Sequence, residues 1–193
     1  MNIKLENYLL EAVGQKKHDL SDENPFKDIA FDSDKKRLGW VNFVNLEDLK
    51  RSLEDISLLL KDKDNFIFIG MGGSINGIKP LLSLFDKDNY CTVDNLDPKA
   101  LMSVIGKIKN FKKTLVVAIS KSGTTKETQL LAKALKEVFS KEIGEQEWRS
   151  NFLWLSDPES FTKLDDLGWQ GVAKSCIQVD KGNDVGGRFS SPN

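Results

Sequence analysis

Phe66-Ile67-Phe68-Ile69-Gly70 runs without a break into Met71-Gly72-Gly73-Ser74-Ile75-Asn76-Gly77. An uninterrupted apolar run of that length suits a strand buried on both faces, as in a parallel sheet. The glycines behind it mark a tight turn, with Ser74 or Asn76 as the expected cap of a helix over about residues 76–85. The alternation repeats on the carboxyl side. Cys91 to Asp94 reads as a second strand, and Asp97 with Pro98 supplies an N-cap and a first-turn proline ahead of Leu101, Val104, Ile105 and Ile108. Thr114 to Ser120 (TLVVAIS) is a third strand, followed by a helix with Leu131, Leu135, Val138 and Phe139 along one side. Asn151 to Leu155 and Ala173 to Val179 supply the fourth and fifth. On the amino side, Leu46, Leu49, Leu53, Ile56 and Leu60 recur in steps of three and four along one helical face, which Lys61 to Asn65 ends. Short apolar strands separated by helices predict an α/β fold: three layers, a doubly wound parallel sheet of five strands, and flanking helices.

Residues 1–45 are different. LENYLLEAV suits a short helix, but DENPFKDIAFDSDKKRLGW is broken by charge and by Pro25 and reads as surface wrapping. The expected organisation is a wrapping segment over 1–45 and one domain over 46–193, with no internal repeat and no linker.

Composition narrows the function. Among 193 residues, 28 Lys and Arg oppose 29 Asp and Glu, a net charge of −1 that gives no field to hold a nucleic-acid backbone. The 39% hydrophobic content, with 11 Phe and 4 Trp, is enough to bury a sizeable core. No apolar run reaches the ~18 residues that would span a bilayer, and Lys4, Glu6 and Glu11 fall where a signal peptide needs an apolar block. A cytoplasmic protein without a membrane partner is expected. Cys91, Cys176 and the lone His18 offer neither a disulfide scaffold nor a metal cluster.

In doubly wound sheets ligands gather beyond the carboxyl ends of the strands. Three such ends carry candidates. The first is the glycine turn at 70–77, where backbone N–H groups can be aimed at an anion. Ile78 stands where a Walker A loop needs lysine, which excludes that loop. A dinucleotide fingerprint nearly fits, with Gly70, Gly72 and a ribose-binding acid at Asp94, but Ile75 replaces its third glycine. The second candidate, Ser120-Lys121-Ser122-Gly123-Thr124-Thr125-Lys126-Glu127-Thr128, packs hydroxyls and lysines around a helix start. Thr124 and Glu127 suit a capping box, yet the surplus hydroxyls match a phosphate monoester, whose oxygens want several donors. The third, Gly182-Asn183-Asp184-Val185-Gly186-Gly187-Arg188-Phe189-Ser190, places a glycine pair before an arginine.

GMGGSING, SKSGTTKET and NDVGGRFS, in that order, resemble the phosphoglucose isomerase (glucose-6-phosphate isomerase) family over about residues 39–193, and more narrowly the first of its two sugar-isomerase (SIS) domains. The resemblance implies a flavodoxin-like five-stranded sheet, a hexose 6-phosphate substrate in glycolysis and gluconeogenesis, no cofactor, and a homodimer. Gly73 and Ser74 match the first phosphate-side loop. Ser120, Lys121, Ser122 and Thr125 match the loop that grips the phosphate, with Ser122-Gly123 where many members have threonine and phenylalanine. Glu127 matches a motif acid whose role is expected to be structural, and Arg188 matches the arginine facing the C1 and C2 oxygens. The flavodoxin-like strand order would put Cys91 and Cys176 on opposite edges, about 19 Å apart and beyond disulfide reach.

Family members bring a catalytic glutamate, a ring-opening histidine and a lysine from later in the chain. The sequence ends at Asn193, the second SIS domain is not in it, and His18 matches none of these groups. The expectation is therefore an isomerase part that binds sugar phosphate but is inactive alone. A stand-alone SIS domain sensing a sugar phosphate, and more weakly a nicotinamide-binding domain, remain as alternatives.

Overall fold

The computed structural model describes residues 46–84 and 88–175. Five parallel strands, β1 (Asn65–Gly70), β2 (Tyr90–Val93), β3 (Thr114–Ile119), β4 (Phe152–Leu155) and β5 (Ala173–Ser175), form one sheet in the order β2-β1-β3-β4-β5. That order and the flanking helices bear out the expected fold class. His18, Cys176, Arg188 and the whole of 1–45 lie outside the described residues, so the wrapping segment and the arginine loop carry no structural account.

The period-two alternation of each strand assigns its faces. Ile67, Ile69, Val116, Ala118, Phe152 and Trp154 point into a large core with Leu131, Leu135 and Phe139 of helix α5 (Lys126–Ile143), and with Leu101, Val104 and Ile105 of helix α4 (Pro98–Gly106). Phe66, Phe68, Leu115, Val117 and Leu153 point the other way, onto Ile56, Leu59 and Leu60 of helix α1 (Leu46–Lys61). Three layers result. α4 begins as its sequence foretells: the Asp97 carboxylate accepts from the Lys99 N–H at 2.9 Å, with Pro98 at the first position.

Four local expectations are corrected. The helix after β1 is two short pieces, α2 (Gly73–Asn76) and α3 (Ile78–Ser83). Pro80 explains the break, since it has no N–H to return to the Asn76 carbonyl. Gly72 holds the N-cap position of α2, so neither Ser74 nor Asn76 is a cap. Leu53, expected on the buried face of α1, is half exposed. Asn151, expected in β4, instead closes a 3-10 turn (Glu147–Asn151), where its side-chain amide donates to the carbonyls of Phe111, Lys112 and Thr114 at 2.8, 3.0 and 2.7 Å.

Candidate functional site

Gly70 ends β1 directly opposite Ile119, the last residue of β3, so the two candidate loops leave from neighbouring strands at the same edge. This is also where the strand order reverses, from β1 outward to β2 and back to β3. A Cβ at Gly70 would lie 3.0 Å from the Ile119 carbonyl oxygen, a tight contact that glycine avoids. Gly72, at φ +55°, turns the chain into α2, where Gly73 and Ser74 sit half-buried.

Beside that turn, Ser120 is buried and its hydroxyl shares a 2.9 Å hydrogen bond with that of Thr125. Lys121 and Ser122 are exposed at the loop crest. Ser122 Oγ accepts from the Thr124 N–H at 3.2 Å and from the Thr124 hydroxyl at 3.0 Å. The expected capping box does not form. Thr125, not Thr124, is the N-cap residue of α5, and it makes no side-chain cap bond because its hydroxyl is turned to Ser120. Glu127 stands exposed in the first turn of α5, where a carboxylate favours the positive end of the helix dipole. The capping box on which its expected structural role rested is absent, and the helix dipole is the interaction its position offers. α5 is 18 residues long, so its amino end brings unbonded N–H groups and partial positive charge to the loop.

The loop is a bent one, with Gly123 at φ +64° and packed so tightly on Leu164 that a Cβ would come within 2.9 Å of its Cγ. Four further residues support this loop, directly or through one another, and carry no motif that marks them in the sequence: Ser156, Ser160, Gln129 and Trp169. A signal for the first two existed, since Asp157-Pro158 after β4 repeats the pattern of Asp97-Pro98 after β2 and marks the same kind of capped turn. Nothing in the spacing could have shown that Gln129 and Trp169 meet.

Asp94, the acid of the dinucleotide alternative, is engaged elsewhere. Its carboxylate takes a hydrogen bond from the Lys79 ammonium, which holds it below the usual carboxylate range, and a second from Asn95. Among the described residues no cluster of His, Cys, Asp or Glu is suited to a metal ion, and no helix is long and apolar enough to cross a membrane. A surface cleft bordered by Leu59, Lys112, Glu147 and Arg149 is at the opposite, amino ends of the strands and contains none of the candidate residues.

Residues 52–191 match the phosphoglucose isomerase family. The chain belongs to that family. Among its relatives, the glucose-6-phosphate isomerase of Campylobacter jejuni is 32% identical over 167 residues, covering 82% of this chain and 39% of the relative. That of Mycoplasmoides gallisepticum is 27% identical over 206 residues, covering 98% and 47%. A crystal structure of a hypothetical protein from Thermus thermophilus superimposes with a TM-score of 0.60 at 27% identity, over 79% of this chain and 36% of that one. The chain thus spans less than half the length of the curated relatives it matches. The described part contains the candidates Gly73, Ser74, Ser120, Lys121, Ser122 and Thr125, and it brings their two loops together at one end of the sheet.

Proposed function

We propose that this chain forms the sugar-phosphate-binding part of a glucose-6-phosphate isomerase, which interconverts glucose 6-phosphate and fructose 6-phosphate. The observation that supports it most is the Ser120–Thr125 loop, rich in hydroxyls, seated on the amino end of α5 beside the glycine turn. A phosphate dianion there would meet neutral donors, the helix dipole and the ammonium of Lys121, which suits reversible binding. Gly73 and Ser74 would close the other side.

Moving a proton between C1 and C2 through a cis-enediolate needs a base and fixed positive charge where the oxyanion develops. Arg188 is proposed for the charge, since its guanidinium stays protonated and cannot compete as a base. No residue of this chain is assigned the base, so the chain by itself is proposed to bind without turnover. No cofactor is needed for this chemistry. A homodimeric, cytoplasmic whole enzyme belongs to the same proposal.

Titrating the purified chain with glucose 6-phosphate by NMR, alongside a turnover assay with fructose 6-phosphate, tests both halves. Saturable shifts at Ser120–Thr125 without turnover are expected. Shifts confined to other strand ends would misplace the site, and clear turnover would overturn the missing base. If a longer protein containing this chain also bound the sugar phosphate without isomerising it, a regulatory sensor would be the better description.

A further inference from the structure

Carbonyl oxygens are what a phosphate dianion should not meet, and in the Ser120–Gly123 loop three of them are drawn the other way. The Ser120 carbonyl accepts from the Ser156 hydroxyl at 2.7 Å and from the Gly123 N–H at 3.1 Å. The Lys121 carbonyl accepts from the Asp157 N–H at 3.0 Å, the Ser160 hydroxyl at 3.1 Å and the Ser156 hydroxyl at 3.2 Å. The Gly123 carbonyl accepts from the Gln129 side-chain amide, whose own oxygen accepts from the Trp169 indole N–H at 2.8 Å. These partners are buried: Ser156 is 6% exposed, Ser160 4%, Gln129 7% and Trp169 1%. They come from the turn after β4, from α5, and from the turn before β5, none of them part of the loop itself.

We infer that Ser156, Ser160 and Gln129 are positioning residues for substrate phosphate: they hold the Ser120, Lys121 and Gly123 carbonyls toward the protein interior, so that these three peptides do not present their negative dipole ends to the anion. The inference rests on the sugar-phosphate reading above. Each peptide is planar and trans, so a carbonyl fixed inward turns the N–H across the same bond outward. Ser156 is central because its hydroxyl lies between two of the carbonyls. Without it, the Ser120 carbonyl keeps only the Gly123 N–H and the Lys121 carbonyl keeps the Asp157 N–H and the Ser160 hydroxyl, a looser hold that lets the two peptides tilt an oxygen toward the anion.

The test uses the 193-residue chain, with glucose 6-phosphate and inorganic phosphate as probes. Ser156→Ala is expected to weaken both affinities about 10-fold, the size of one buried hydrogen bond, and to shift the Lys121 and Ser122 amide resonances in the unliganded protein. Ser156→Thr, which keeps the hydroxyl, should restore most of the affinity, and Ser160→Ala should give a smaller loss of the same kind. Phe152→Leu, at the start of β4, the strand that leads to Ser156, should lower the melting temperature and leave both affinities alone. If the parent chain binds and Ser156→Ala binds equally well with unshifted amides, or if affinity simply follows melting temperature across all four variants, the positioning role is wrong. Absence of saturable binding by the parent would overturn the sugar-phosphate reading, and this inference with it.

Discussion

Thr125 occupies the position from which a helix is usually capped, yet its hydroxyl is paired with Ser120 at 2.9 Å. In the proposed site it is a donor to an ionised ligand, so Thr125→Ala is expected to cost about 1.5 to 3 kcal/mol of hexose 6-phosphate affinity. Calorimetry showing equal affinity would place the phosphate elsewhere. Gly123 is constrained twice, by φ +64° and by Leu164 at 2.9 Å from its absent Cβ. Gly123→Ala should therefore lose about 1 to 3 kcal/mol of folding stability in urea. Pairing it with Leu164→Ala should relieve only the steric share of that loss, because the backbone strain stays. Arg188 is proposed to face charge that exists only in the transition state. In a longer protein that includes this chain and isomerises sugar phosphate, Arg188→Ala should cut turnover roughly 100-fold to 1,000-fold and leave the Michaelis constant nearly unchanged. A raised Michaelis constant with intact turnover would make the arginine a binding group.

Among the elements, α4 is the one whose start is written most plainly: Asp97 caps, Pro98 follows, and the Asp97 carboxylate meets the Lys99 N–H. Asp97→Ala should cost about 1 kcal/mol, and Asp97→Ser or Asn much less, by chemical denaturation. The strands are equally legible. FIFIG and TLVVAIS can be read because burial on both faces leaves a continuous apolar run, and the strand order follows once the motifs point to a flavodoxin-like sheet. The local corrections share a cause, competition by groups distant in sequence or unusual in type. Thr125 prefers Ser120 to its own helix, Asn151 prefers three carbonyls near the start of β3 to a place in β4, and Pro80 interrupts a helix that periodicity would have continued. At the candidate site the glycine turn and the hydroxyl loop are visible from their residue types. The buried residues beneath are not, because the contacts Ser156–Ser120 and Trp169–Gln129 span 36 and 40 residues and exist only once the sheet is assembled.

For the molecule as a whole, the Lys79–Asp94 pair ties α3 to the end of the edge strand β2. Because Lys79 holds the Asp94 carboxyl below its unfolded value, near 3.9, the pair contributes above that pH and its contribution fades as pH falls through the folded value. Asp94→Asn should thus be less stable than the parent at pH 7, by no more than about 1 kcal/mol for a partly exposed pair, and the gap should close in acid. A gap that persisted or widened at pH 3 would mean the amide disturbs something other than the ion pair. Cys91 lies on the edge strand β2, and the expectation that Cys91 and Cys176 are both free thiols is checked by thiol titration of the denatured chain without reductant. Trp148, Trp154 and Trp169 lie together in the large core, with Trp169 edge-on to Trp148 at 6.0 Å and to Trp154 at 5.2 Å. The Trp169 indole is joined through Gln129 to Gly123 in the candidate phosphate loop. The protein thereby contains its own optical reporter: a ligand that settles into the loop should alter the emission of a chromophore it never touches, and Trp169→Phe should silence that change.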